Sequence, residues 1–241
     1  MPPSARRAAP PSRCESADLR AARAPRPQAA RTPAPDAPVN RGSLLVFEGL
    51  DGSGKSTQRA RLAARLRAAG HAVRETAEPY EGGSWGPKIR AMARSGEALP
   101  PEEELRWFVE QRREHVRERI APALAAGEVV LCDRYFLSTA AYQGARGLDA
   151  EAILAAGERE FPLPHLVLLL EIDAARALAR VAARGGPGEP VFERREFLER
   201  VAANFHRLER PYVVRIDAAR DEAGVEADVV RAVGERTRLL R

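Results

Sequence analysis

Short runs of consecutive apolar residues alternate along this chain with longer stretches whose apolar residues recur every three or four positions. Leu44-Leu45-Val46-Phe47, Val129-Val130-Leu131-Cys132 and Leu166 to Ile172 read as apolar strands, and the more polar Val73 to Thr76 and Tyr212 to Ile216 can form two more, five in all. Near-continuous apolar runs suit strands buried on both faces. Between them, Thr57 to Ala69 carries Leu62 and Leu66 at helical spacing and ends at Gly70, a C-cap residue. Glu102 to Ala126 predicts a long helix, bounded by Pro100-Pro101 and Gly127. Asp149 is placed to cap a short helix through Ala156, and further helices are expected at Ala174–Ala183, Arg194–Glu209 and Val225–Leu239. This alternation predicts an α/β fold, a five-stranded parallel sheet with helices on both faces. Ligands then bind beyond the carboxyl ends of the strands.

Composition changes the picture mainly at the N-terminus. Residues 1–42 are Ala, Pro, Arg and Ser with few large apolar side chains, too few to offset the entropy of ordering. They read as a disordered extension, with residues 43–241 as the folded domain. Arg-rich and acid-poor, the extension loosely resembles an organelle transit peptide, but it lacks the apolar core of a secretory signal. Upstream sequence translated in error is the other plain reading. Its eight arginines against Glu15, Asp18 and Asp36 account for the whole formal net charge of +5. The body is therefore charge-balanced, which argues against nucleic acid as a partner. Leu166 to Leu170, the longest apolar run, is far too short to span a bilayer. Cys14 and Cys132 are the only cysteines and suggest neither disulfide nor metal site, so a cytoplasmic location is expected.

The candidate chemistry begins directly after the first strand. Gly49-Leu50-Asp51-Gly52-Ser53-Gly54-Lys55-Ser56 fits G-x-x-x-x-G-K-[ST], the P-loop pattern, and Thr57 follows at the start of a helix. Glycines let backbone N–H groups wrap a phosphate, and the helix N-terminus adds partial positive charge. Lys55 would reach the β- and γ-phosphates of ATP, and the Ser56 hydroxyl would bind Mg²⁺. Only Lys55 and Lys88 are lysines among 39 Lys and Arg residues, so a lysine-poor sequence has one at this position. Asp133 ends the third strand as a second candidate Mg²⁺ ligand, with Arg134 beside it as a fixed cation near the phosphates.

Three blocks resemble the thymidylate kinase family of P-loop nucleoside monophosphate kinases. They are Phe47 to Gln58, the helical Phe108-Val109-Glu110-Gln111-Arg112-Arg113-Glu114-His115, and Asp133-Arg134-Tyr135 through Ser138-Thr139-Ala140-Ala141-Tyr142-Gln143-Gly144. The resemblance spans roughly residues 44–240 and implies a three-layer P-loop kinase fold with a short lid, at about 184–195. It implies transfer of phosphate from ATP to dTMP, giving dTDP, and a homodimer formed through the long helices. Phe108 would stack on the thymine, and Arg112, one turn along the same face, would donate to O4. Ser138, Thr139 and Gln143 would add polar contacts, Tyr142 would pack on the deoxyribose, and Asp51 would bind the 3′-hydroxyl. Lys55, Arg134 and Mg²⁺ would neutralise the transferring group.

Two stretches depart from the family. Where relatives have a lid D-R-x-E, this chain reads Pro190-Val191-Phe192-Glu193, leaving Arg180, Arg184, Arg194 or Arg195 to supply the lid cation. Arg184 is the first choice. Where relatives carry R-E-P-G-G-T, this chain has Ala77-Glu78-Pro79-Tyr80-Glu81-Gly82-Gly83-Ser84, which bears on substrate choice, with Arg90 or Lys88 to compensate. A kinase for another deoxynucleotide or deoxynucleoside is thus the alternative, and a non-catalytic nucleotide-binding regulator a more remote one.

Overall fold

The computed structural model describes residues 42–185, 192 and 194–240. Apart from Gly42, the expected N-terminal extension lies outside the described residues, as does the centre of the expected lid. Five strands form one all-parallel sheet: β1 (Ser43–Gly49), β2 (Val73–Ala77), β3 (Val129–Asp133), β4 (Leu166–Glu171) and β5 (Val213–Asp217), in the order β2-β3-β1-β4-β5. Alternate residues of a strand face opposite sides of the sheet. Every residue of β3, all but the first of β1 and all but the last of β4 are buried, so helices cover both faces. β2 and β5, at the edges, are only half-buried for most of their length.

The helices are α1 (Lys55–Ala68), α2 (Trp85–Ser95), α3 (Pro101–His115), α4 (Ala121–Ala125), α5 (Phe136–Ala145), α6 (Ala150–Glu160), α7 (Ala174–Arg184), α8 (Arg195–Arg207) and α9 (Glu222–Arg236). A π-helical turn at Val116–Ile120 joins α3 to α4, so the long helix expected over Glu102 to Ala126 is present but interrupted. Asp149 caps α6 through the Ala152 N–H at 3.0 Å, as its position predicted. Asp173 and Asp221 cap α7 and α9 in the same way. Helices α2 and α5 were not predicted from periodicity.

Strand register determines where the chemistry gathers. Phe47 of β1 pairs with Asp133 of β3, and Gly49 pairs with Leu170 of β4. The turn after β1 and the turn after β3 therefore emerge side by side at the carboxyl edge.

Candidate active site

Two glycines fix the loop after β1. A Cβ on Gly49 would lie 2.3 Å from the Leu170 carbonyl oxygen, and one on Gly52 would lie 2.2 Å from that of Ala177 on α7. Their φ values, +132° and +89°, also disfavour any other residue. Gly52 leaves no room for a side chain, so a cation above this loop must come from elsewhere. Gly54 caps α1, whose first turn carries Lys55, Ser56 and Thr57 toward the cleft.

Lys55 is buried, and its ammonium donates to the Gly49 and Leu50 carbonyls at 3.0 and 2.8 Å. Asp51 Oδ1 lies 3.5 Å away. Desolvation pushes the Lys55 ammonium down, reinforced by Arg134 and opposed by Asp51 and Asp133. A phosphate entering the loop would exchange these carbonyl contacts for charge-assisted ones. Ser56 Oγ donates to Asp133 Oδ2 at 2.8 Å, which brings the two sequence-predicted Mg²⁺ ligands together. Two oxygens on one side suit an ion that takes its remaining ligands from phosphate and water. Leu50 is core, and Ser53 is buried with its hydroxyl unpaired among the described residues.

Arg134 has φ +68°, a left-handed conformation uncommon outside glycine. Its N–H bonds the Phe47 carbonyl at 2.8 Å, and its guanidinium donates to Asp51 (2.7 Å), Ser138 Oγ (2.9 Å) and the Tyr142 hydroxyl (3.1 Å). Desolvation raises the Asp51 carboxyl, but Arg134 and Lys55 outweigh it and hold it well below the usual range. Beneath this cluster lies Glu48, fully buried, accepting from the Tyr135 and Ser138 N–H groups and from the Ser138 hydroxyl. Burial pushes the Glu48 carboxyl up to about 7, against the pull of those bonds and of Arg134. Ser138 is thus held from below by Glu48 and from the side by Arg134.

Two cavities meet here. The first is lined by Phe108, Arg112, Tyr135, Ser138, Thr139, Tyr142, Gln143 and Phe192, among others. Every base- and sugar-contact candidate from the sequence lies on its wall. The second runs along the P-loop from Asp51 to Arg59 and on to Arg180, Arg184 and Arg220. Asp51, Glu78, Pro79, Arg90 and Arg134 line both cavities. Arg90 also donates to the Pro79 carbonyl at 3.2 Å and pairs with Glu81 at 3.0 Å.

Arg112 differs most from an isolated reading of its position. By itself it would pass for a solvated helix residue, yet its side chain is 2% exposed. Nε and Nη2 donate to the Glu78 carboxylate at 2.5 to 3.1 Å, and Nη2 also reaches Thr139 Oγ1 at 2.8 Å. Nη1 takes no part in these bonds. Desolvation raises the Glu78 carboxyl, but Arg112 and His115 more than offset it and bring it below its ordinary value. His115 completes the cluster: Nδ1 is 3.1 Å from Glu78, Nε2 is 2.6 Å from Thr76 Oγ1, and its ring stacks on Tyr80. The altered loop is anchored by α3 as well, through Gln111 to the Tyr80 N–H and Glu114 to Ser84.

Of the lid candidates, Arg180 lies nearest the loop, with Nη1 3.4 Å from the Gly52 carbonyl and 3.0 Å from that of Ala218. Arg184 lines the same cleft, exposed, its Nε turned back to the Arg180 carbonyl at 3.3 Å. Arg194 is exposed at the start of α8, and Arg195 pairs with Glu199 at 2.9 Å. Val191 lies outside the described residues. Phe192 was not singled out from sequence; it is buried against Tyr142 at 5.9 Å, edge to face. Glu104 was missed as well, and Tyr135 was quoted only within the Asp133-Arg134-Tyr135 block, with no role assigned; both are buried.

Comparison with known proteins shows the family. A sequence model of the family described as Thymidylate kinase matches residues 47–229. The chain is 43% identical to the thymidylate kinase of Desulfotalea psychrophila over 194 residues, covering 80% of this chain and 95% of that one. Identity to the thymidylate kinase of Akkermansia muciniphila is also 43%, over 196 residues, covering 81% and 93%. The thymidylate kinase of Xanthomonas campestris pv. campestris gives 43% over 202 residues, covering 82% and 87%.

Proposed function

Since the chain belongs to the thymidylate kinase family and phosphorylates dTMP to dTDP, we propose that it uses ATP and Mg²⁺ and transfers the γ-phosphoryl group directly, in line. The observation that carries this reading is the junction of the two cavities. dTMP occupies the cavity of Phe108, Arg112 and Gln143, and ATP lies along the P-loop. Their phosphates then converge on Asp51, Arg90 and Arg134, the residues the cavities share. Phe108 stacks on the thymine, and Arg112 donates to O4 through the nitrogen that Glu78 and Thr139 leave unused. Thr139 buttresses Arg112. Tyr142 packs on the deoxyribose and Asp51 receives the 3′-hydroxyl. Arg90 takes the monophosphate, which answers the departure at Ala77–Ser84.

No protein nucleophile is required, because the dTMP phosphate oxygen attacks the γ-phosphorus itself. Catalysis is alignment together with neutralisation of the transferring group. Lys55 and Arg134 supply fixed positive charge there. Ser56 and Asp133 are the residues that would hold Mg²⁺, which supplies further neutralisation at the β- and γ-oxygens when bound. A third cation has to come from α7 or the lid, because Gly52 has none and no space for one. Arg184, exposed at the end of α7, would exchange its 3.3 Å bond to the Arg180 carbonyl for ATP on lid closure. Arg180 is already engaged by the Gly52 and Ala218 carbonyls.

Single-turnover transfer from ATP to dTMP tests this arrangement. The parent enzyme forms dTDP in one phase with no phosphoenzyme. Arg184→Ala slows that phase by about tenfold to a thousandfold, as expected for a contact that strengthens in the transition state, with a smaller rise in the KM for ATP. If Arg184→Ala is silent and Arg180→Ala is crippled, the cation belongs to Arg180. Silence of both, together with Arg194→Ala and Arg195→Ala, would exclude a lid cation from the mechanism.

A further inference from the structure

The base cavity contains a buried polar atom with no partner of its own. Gln143, fully buried on α5, lines that cavity. Its Nε2 donates to Glu104 Oε1 at 2.6 Å, whereas its Oε1 has no hydrogen-bond partner among the described residues. Glu104, in the first turn of α3, is also fully buried, and its other oxygen accepts from Arg146 Nη1. Arg146 is tied in turn to the Leu99 carbonyl at 2.5 Å.

A side-chain amide offers a donor at one end and an acceptor at the other, and only its neighbours decide which way it turns. Against a carboxylate paired with an arginine, the NH₂ end is the one that fits. A turned amide would set two acceptor oxygens against each other in a dry site. The carbonyl end is therefore left for the ligand, and an unpaired buried acceptor calls for a donor.

We propose that Glu104 is a positioning residue for pyrimidine choice. It locks the Gln143 amide so that the carbonyl reads a ring N–H, which thymine has at N3 and cytosine lacks. The proposal rests on the assignment of this cavity to the dTMP base. Arg112 supplies the complementary donor for the neighbouring O4, so the pair matches the donor-acceptor order of thymine and opposes that of cytosine. Uracil carries the same two groups, so this device separates dTMP from dCMP but not from dUMP.

The test is steady-state kinetics of Glu104→Gln with dTMP, dCMP and dUMP, beside Gln143→Leu. In Glu104→Gln the amide oxygen stays with Arg146, so its NH₂ end faces Gln143 and no longer holds that amide with its carbonyl toward the cavity. The kcat/KM preference for dTMP over dCMP should fall at least about tenfold, mainly through KM for the nucleotide. The KM for ATP should stay within about twofold, and the dTMP/dUMP ratio should not move. A preference unchanged in Glu104→Gln but reduced in Gln143→Leu overturns the role of Glu104 while leaving the cavity assignment intact. If Gln143→Leu also leaves the preference unchanged, the base is read elsewhere and the cavity assignment itself fails. A dTMP/dUMP ratio that changes along with dTMP/dCMP means general loosening, which also overturns the proposal. Should Glu104→Gln not fold, Glu104→Asp decides, since it keeps a charge for Arg146 and withdraws the acceptor that orients the Gln143 amide. A dTMP over dCMP preference reduced as in Gln143→Leu supports the lock, and an unchanged preference overturns it.

Discussion

Lys55→Ala lowers the rate of phosphoryl transfer at least ~100-fold, the scale on which single charge-stabilising contacts act (about 2.7–4 kcal/mol). The lysine is the one ammonium in the P-loop, and its three nearest acceptors are the carbonyls of Gly49 and Leu50 and the Asp51 carboxylate. The ammonium itself borders the cleft, so water takes its place when the side chain is shortened. Removing a desolvated cation from beside Arg134 also relieves repulsion. Melting should therefore change little while turnover collapses. Thermal unfolding and a rapid-quench assay on the same preparation check both halves. A folded Lys55→Ala enzyme that still turns over at near the parent rate removes the P-loop lysine from the mechanism.

Arg112→Ala has the opposite profile, with a large effect on stability as well as on substrate. Its guanidinium is the main counter-charge of a carboxylate that is itself 3% exposed. Breaking a buried pair from one side typically costs about 3–5 kcal/mol, because the remaining charge stays buried. For a domain of this size that is a fall in Tm of roughly 10 °C. The KM for dTMP should rise and the margin over dCMP should narrow, with ATP affinity nearly unchanged. The double variant Glu78→Ala/Arg112→Ala separates the two roles. It should recover much of the lost Tm, since no charge is stranded, but none of the base preference. If base preference returns together with stability, Arg112 supports the pocket without reading the base.

The sequence carried the sheet more clearly than the helices that build the pocket. Strands β1, β3 and β4 are buried on both faces, so each is written as an apolar run bounded by turn residues. Helix α5 has no such signature. All of its residues but Gly144 are buried, polar Ser138, Thr139 and Gln143 among them, so no 3.6-residue stripe separates a wet face from a dry one. Helix α2 is short and carries Gly86 and Pro87 in its first turn. The P-loop and the candidate Mg²⁺ ligands Ser56 and Asp133 were legible, the first as a local motif and Asp133 because it ends an apolar strand. The Glu78–Arg112 pair was not, because its members are 34 residues apart and meet only through the packing of α3 on β2. For the same reason Arg112 alone reads as a surface residue. Glu104 is a similar case: it sits among Glu102 and Glu103, where acidic residues ordinarily favour a helix N-terminus, and only the fold turns it inward onto Gln143. Tyr80, a departure from the family pattern, acquires a place once it is seen stacked on His115.

The central claim is that the cavity of Phe108, Arg112 and Gln143 receives a thymine-bearing monophosphate while ATP lies along the P-loop. Initial rates of ATP-dependent phosphorylation across dTMP, dUMP, dCMP, dGMP and thymidine test it most directly. The account predicts dTMP as the best substrate, dUMP next, and dCMP, dGMP and thymidine far behind. Thymidine fails because it brings no phosphate to Arg90 and Arg134, and the other two because their base edges oppose Arg112 and Gln143. A kcat/KM for dCMP, dGMP or thymidine that equals or exceeds the value for dTMP would contradict it.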